Sequence, residues 1–290
     1  MTICRVTKKS TIKSWPQLNS TLDIFIAGFM YCLYILSLKL AYTIEEIMPK
    51  TTVPLQIQRQ LRKETLYGCA ICGCPILEYA QIIPYGDIQA FIPENMVSLC
   101  PFHHLQYKVE NKLSESSLRD AKNNPYNKMH ENEAFVIQSQ DISVNIGKCK
   151  FVNTSRILVI DDFDIISIKK EDEKYVLLDV NFFDKLNNLI AIVSENTWTA
   201  EKSNDWNISY KPSHLIIQNQ PRNIIFQAKI GIDSNSNENQ ITITADGMYY
   251  NRSPIKITEN EILIDNREVA LDIKDTVLKN YEAGIVTETF

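Results

Sequence analysis

Cys69-Ala70-Ile71-Cys72 and, after twenty-seven intervening residues, Cys100-Pro101-Phe102-His103-His104 decide how this chain is read. Each stretch offers two soft or borderline donors three residues apart. Four such donors converging at tetrahedral geometry is what a structural Zn²⁺ requires. Cys69, Cys72 and Cys100 supply three of them, and the fourth is His103 or His104. The three-residue step of the first pair is repeated by Cys100 and His103. That selects His103 and leaves His104 on the adjacent side of a helix start, facing something else. The segment is too short to build its own core, so the metal would act as its clamp.

Working outward, 44% hydrophobic and 22% charged residues describe a soluble globular chain, and 290 residues suffice for one large domain or two ordinary ones. The net charge of −5 is unevenly spread. Residues 1–47 hold five Lys/Arg against three Asp/Glu, a net +2, and residues 48–130 hold nine against seven, again +2. Residues 131–290 hold sixteen against twenty-five, a net −9. Any group that touches phosphate therefore belongs to the first half, because the second would repel a polyanion. Seven cysteines, four of them within 69–100, do not make a disulfide framework in a chain of this length. The spacing favours metal in a reducing compartment, hence a cytoplasmic protein. Cys4, Cys32 and Cys149 read as isolated thiols and Cys74 as a bystander.

Residues 1–47 form an apolar N-terminal extension. Arg5, Lys8, Lys9 and Lys13 precede the run Leu22–Tyr42, whose uninterrupted core from Ile24 to Leu36 is about 13 residues, short of the roughly 20 that span a bilayer. Three readings stand: a translation start at Met48, a membrane-associated helix, and an ordinary helix. Membrane association is not the favoured one, since an anchor with its positive end inside would place the knuckles on the oxidising side.

From Val53 to Thr65, Leu55, Ile57 and Leu61 with interleaved Arg59, Arg62 and Lys63 predict a short amphipathic helix, opened by Pro54 and ended before Gly68. Pro75, Pro84, Gly86 and Pro93 make residues 75–93 strands or loops. After Cys100, Leu105, Val109 and Leu113 at four-residue spacing predict a helix. A second begins at Ser114 or Ser116 and ends at Asn123-Asn124-Pro125. Beyond residue 134 the pattern becomes short β-branched runs between Asn/Asp/Ser/Gly/Pro turns: 135–137, 142–146, 156–160, 175–180, 189–193, 214–217, 223–230, 240–244, 255–257 and 261–264. These are strands of an all-β region, a sandwich or a solenoid-like stack, with no 20–50-residue repeat. Trp198 and Trp206 read as core or rim packing. His130 and His214 have no ligand partner at useful spacing.

The stretch 55–120, with Glu78-Tyr79-Ala80-Gln81-Ile82-Ile83-Pro84, Glu94-Asn95-Met96-Val97-Ser98-Leu99-Cys100-Pro101 and His104, resembles the HNH endonuclease family, in particular members whose ββα-metal unit is braced by zinc knuckles. The resemblance covers about a quarter of the chain. It implies an α+β fold in which an HNH-like zinc domain over 48–130 precedes the β-rich region 131–290. It also implies a metal-dependent endonuclease acting on nucleic acid, DNA favoured, with a catalytic Mg²⁺, Mn²⁺ or Ni²⁺ beside the structural zinc. By resemblance Asn95 falls on the middle position, which holds the unit's geometry, and His104 on the last, which binds the catalytic metal. Gln81 stands where the family has its general-base histidine, and Ala80 where a metal-binding Asp or His is common. An amide cannot take a proton from water as imidazole does. Glu78 is the nearest group able to substitute as ligand or base; in a ribbon it shares a face with residue 80 and not with 81. A catalytically inactive unit, kept as a zinc-braced nucleic-acid-binding or protein-contact module with the β-rich region as partner-binding part, is the alternative.

Overall fold

Leu61 and Arg62 are the residues that the first amphipathic segment turns inward. Helix α1 (Leu55–Glu64) buries both, while Leu55 stays exposed. In this computed structural model residues 53–83, 90–201, 206–233, 238–269 and 277–288 are described. The extension 1–47 and Pro84 lie outside them. Among the described residues no helix is long and apolar enough to cross a membrane.

The chain leaves α1 through Leu66 and Tyr67, both at positive φ. It then forms β1 (Glu78–Gln81), a 3-10 turn at Pro93–Asn95, β2 (Met96–Leu99) and helix α2 (Pro101–Lys108). Strands β1 and β2 pair antiparallel, Glu78 opposite Leu99 and Gln81 opposite Met96. The helix expected to reach Leu113 stops at Lys108. Leu105 and Val109 are exposed, so their four-residue spacing does not mark a buried stripe. Asn111 sits at positive φ, and Lys112 N–H returns to Gln106 O at 2.9 Å, closing the turn. Helix α3 (Glu115–Asn123) starts afresh from Ser114, whose hydroxyl accepts from Ser117 N–H, and α4 (Tyr126–Met129) follows Pro125. Lys122 on α3 joins three elements: its ammonium donates to Glu64 Oε2, Pro93 O and Met96 O at 2.6, 2.6 and 2.7 Å.

The remainder is mostly antiparallel sheet. In chain order come β3 (Ser143–Ile146), β4 (Cys149–Val152), β5 (Arg156–Ile160), β6 (Phe163–Glu171), β7 (Tyr175–Phe183), β8 (Leu189–Ser194) and β9 (Thr197–Ala200). Then follow β10 (Asn207–Lys211), β11 (His214–Gln220), β12 (Asn223–Ile232), β13 (Asn239–Tyr250), β14 (Ser253–Ile257), β15 (Ile262–Ile264), β16 (Arg267–Glu268), β17 (Val277–Lys279) and β18 (Ala283–Thr287). Strands β5 to β9 form one meander of sequential hairpins and β10 to β16 another, with β7 and β13 meeting at Phe183 and Tyr249. Strands β3, β17 and β18 join in parallel to β13, β4 and β5. Sequential antiparallel pairing differs from the coil-on-coil parallel ladder of a solenoid. Aromatic side chains of both meanders also meet, Phe182 lying 6.2 Å from Phe226 between ring centroids. Residues 135–137, expected to be a strand, contribute only a bridge from Val136 to Tyr175.

Four two-residue turns, Asp161-Asp162, Glu195-Asn196, Asn251-Arg252 and Asp265-Asn266, have both residues at φ between +46° and +68°. That is the backbone a twisted hairpin demands, here without glycine.

The cysteine-bearing stretch from Cys69 to Cys100 and the meanders share one apolar interior running from Cys69 to Ile285. Leu77 makes a parallel bridge to Thr197: Leu77 N–H donates to Asn196 O and Trp198 N–H to Leu77 O, both at 2.8 Å. Asn196 is itself buried, its Oδ1 accepting from Leu178 N–H at 2.7 Å. Arg62, 1% exposed, donates to Glu195 Oε2 at 2.7 Å and to Tyr79 Oη at 3.0 Å. Tyr67 stacks on Tyr175 and donates to Asp172 at 2.7 Å.

Candidate metal centre and the adjoining site

Cys69, Cys72, Cys100 and His103 come together, with one donor atom of each within 4.8 Å of the others. Cys72 Sγ lies 3.7 Å from Cys100 Sγ, and His103 Nδ1 lies 3.5 Å from Cys69 Sγ and 3.2 Å from Cys100 Sγ. A tetrahedron with Zn–S near 2.3 Å and Zn–N near 2.0–2.1 Å has edges of about 3.7 Å between sulfurs and about 3.5 Å from sulfur to nitrogen. The spacing thus fits zinc by chemistry and by size. His103, not His104, is the imidazole in the group.

Local backbone builds the first knuckle. Gly73 N–H donates to Cys69 O at 2.9 Å and Cys69 N–H to Cys74 O at 2.8 Å. Gly73 holds φ +72°, and a Cβ there would come within 2.4 Å of Asn127 Oδ1, so only glycine fits. Asn127 is buried beneath the knuckle and donates to Leu66 O at 2.9 Å. Ala70 N–H reaches Ser98 O at 3.0 Å, tying the knuckle to β2, and Tyr126 N–H reaches Ala70 O at 2.9 Å. The second knuckle is the start of α2. Cys100 is its N-cap and Pro101 its first residue, where a missing N–H costs no helix bond. Cys74 is not one of the four donors, and its thiol donates to Ile76 O.

Without a cation the thiols compete for one negative charge. Burial opposes ionisation of Cys69, yet hydrogen bonds from Cys100, Cys72 and His103 outweigh it and hold its thiol well below the ordinary range. Cys72 is pushed up by its hydrogen bonds with Cys100 and Cys69 and by burial, and Cys100 by its hydrogen bond with Cys69. Three thiolates cannot coexist in this space alone. A divalent cation is what would let all of them ionise.

Beyond these four donors, β1 and α2 present a second constellation. His104 Nδ1 and Glu78 Oε2 are in direct contact, each side chain about a quarter exposed. The sequence marked Glu78 as a substitute donor; that it meets His104 depends on how α2 lies across β1. Ala80 is fully buried and brings no donor. Gln81 ends β1, and its carbonyl accepts from Tyr107 Oη at 3.1 Å and from Lys108 Nζ at 3.2 Å. Asn95 enters through its backbone: its carbonyl accepts from Ile82 N–H at 2.7 Å, closing the base of the loop between the strands. His104, Gln81 and Asn95 thus border one β1–β2–α2 unit. The other imidazoles are engaged elsewhere. His130 stacks on Tyr126 at 4.0 Å between centroids, and His214 Nε2 lies 3.1 Å from Gln227 Oε1. Tyr107 and Lys108 escaped the sequence reading, since nothing in their spacing ties them to β1. Comparison of the chain with protein-family models, curated proteins and solved structures gives no match.

Proposed function

We propose that residues 55–120 are an HNH-type ββα-metal unit and that the chain is a metal-dependent endonuclease cleaving nucleic-acid phosphodiester bonds, DNA favoured, at a rate lowered by Gln81. The observation carrying this reading is the Glu78–His104 pair, set on β1 and α2 beside a four-donor metal cluster. A divalent cation bound in such a unit supplies positive charge to the phosphoryl oxygens. Glu78 and His104 are the side chains whose oxygen and nitrogen donors suit it. Glu78 occupies one ring nitrogen of His104 and so fixes the ring's orientation, leaving Nε2 as the nitrogen that acts. Asn95 keeps the two strands at the spacing the site needs. Gln81 can orient a water through its amide but cannot remove its proton, a deficit on the order of 10²–10⁴ in rate.

Nicking of supercoiled plasmid in Mg²⁺, Mn²⁺ or Ni²⁺ tests this. Slow nicking by the native chain, faster by roughly 10²–10⁴ in Gln81→His and abolished in His104→Ala, is expected. Nicking that survives His104→Ala refutes the site.

The histidine inventory favours a second reading, a zinc-braced binding module without turnover. The chain has four histidines. His103 belongs to the four-donor cluster, His104 is paired with Glu78, His130 stacks on Tyr126 and His214 is paired with Gln227. Nicking by Gln81→His alone would identify a disabled nuclease. Nucleic-acid or protein binding with no cleavage by either form would identify the module.

A further inference from the structure

Two of the four donors are held by regular structure and two are not. Cys100 and His103 sit at the start of α2, whereas Cys69 and Cys72 lie on a turn. That turn closes on itself: Cys69 N–H bonds Cys74 O, Gly73 N–H bonds Cys69 O, and a Cβ on Gly68 would meet Gly73 O at 2.7 Å. The carboxamide of Asn127 lies against both of its ends. Nδ2 would stand 2.4 Å from a Cβ on Gly68, and Oδ1 2.4 Å from a Cβ on Gly73. Asn127 is 2% exposed, and Nδ2 donates to Leu66 O at 2.9 Å, just ahead of the turn. Oδ1 is buried with no hydrogen-bond partner among the described residues. A buried acceptor without a donor is unfavourable, so the amide is kept in place by its fit between the glycines and its bond to Leu66. Tyr126, the preceding residue, donates its N–H to Ala70 O at 2.9 Å, and its ring would lie 2.7 Å from a Cβ on Gly73. Two neighbouring residues of α4 thus clasp the turn that carries Cys69 and Cys72, from outside the stretch 55–120.

We infer that Asn127 is a positioning residue of the metal centre: its carboxamide, wedged against Gly68 and Gly73, holds Cys69 and Cys72 in ligating geometry and so sets the affinity and coordination geometry of the ion. The inference rests on Cys69, Cys72, Cys100 and His103 being a metal centre, and it is independent of the nuclease reading. Without the wedge the turn is free to relax, and part of the binding free energy goes into ordering it again. Groups that orient ligands without touching the metal change its affinity by roughly 10–100-fold when removed. Gly68 and Gly73 are the other half of the device, since any side chain at either position would displace the amide.

The test is titration of the metal-stripped full chain with Co²⁺, followed by the visible bands of tetrahedral, thiolate-bound cobalt, with Zn²⁺ in competition. Asn127→Ala is expected to bind Co²⁺ roughly 10–100-fold more weakly and with shifted bands. Asn127→Asp keeps the size of the wedge but loses the bond to Leu66 O, and should show native bands with a smaller loss of affinity. Ser114→Ala, at the neighbouring α3, should leave affinity and bands unchanged. Native affinity in Asn127→Ala overturns the inference and leaves the metal centre standing. Weaker binding with native bands in Asn127→Ala also overturns it, because Asn127 would then serve folding alone. If circular dichroism shows Asn127→Ala unfolded, Asn127→Asp decides, and affinity equal to native in that variant overturns the inference. A native chain that gives no thiolate–cobalt bands overturns the metal centre itself, and the role of Asn127 with it.

Discussion

At one end of the β1–β2 pair four donor atoms lie within 4.8 Å of one another; at the other, Ala80 is buried without a donor and Gln81 offers only an amide. The two ends share strands and a helix, yet tolerate change differently. A tetrahedral cation needs all its ligands, and losing one exposes the segment's dependence on metal. A catalytic constellation can lose its base and still leave strands, loop closure and helix in place. On the nuclease reading proposed above, the Glu78–His104 pair is what such a site would retain.

The sharpest way to break this contrast is to remove a zinc ligand. Cys69→Ser or Cys100→Ser is expected to abolish stoichiometric zinc and to unfold the segment around β1, β2 and α2. Zinc binding in small zinc domains is worth about 10–16 kcal/mol. Elemental analysis and hydrogen exchange over residues 55–130 check this; retained protection would refute a folding role for the metal.

Next is the docking of α1 on the meander. Arg62→Ala removes a buried guanidinium from Glu195 and should cost about 3 kcal/mol, read from denaturant unfolding, with zinc content unchanged. Glu195 extends this to pH. Burial alone would raise its carboxyl, but Lys169, Arg59 and Arg62 outweigh that and bring it down to about 2 from an ordinary 4.5. A depressed carboxyl stabilises the fold above the unfolded-state value and loses that contribution as pH falls from about 4.5 toward 2. The loss is on the order of 2–3 kcal/mol, given partly exposed partners. Glu195→Gln should flatten the acid limb of the stability profile; an unchanged limb would remove Glu195 from the account.

The smallest effect is local. Ser114→Ala deletes the cap of α3 and is expected to cost about 1 kcal/mol in melting experiments, leaving metal and nicking untouched.

The metal cluster was legible because ligand chemistry imposes its own spacing, and Cys69, Cys72, Cys100 and His103 obey it. The start of α3 was legible through Ser114, and most of the strands through β-branched runs. The turn at Asp161-Asp162 was not, since hairpin turns announce themselves by glycine and this one uses acidic residues at positive φ. Strand β6 was therefore missed beside β5. The end of α2 was hidden by Leu105 and Val109, whose periodicity imitates a buried stripe while both face outward. The meeting of Glu78 and His104, 26 residues apart, depends on the rotation of α2 over β1, which no local pattern encodes.

The bridge from Leu77 to Thr197 has a consequence for colloidal behaviour. Strand β9 pairs with β8 on one side, and on the other its backbone meets Leu77 of the segment that carries Cys69 and Cys72. Loss of zinc would uncover that row of amides and carbonyls, with Trp198 beside it, as a template for intermolecular strand pairing. Metal supply would then govern shelf life: zinc-stripped protein is expected to associate edge to edge, and light scattering after chelation would rise before the meanders themselves unfold.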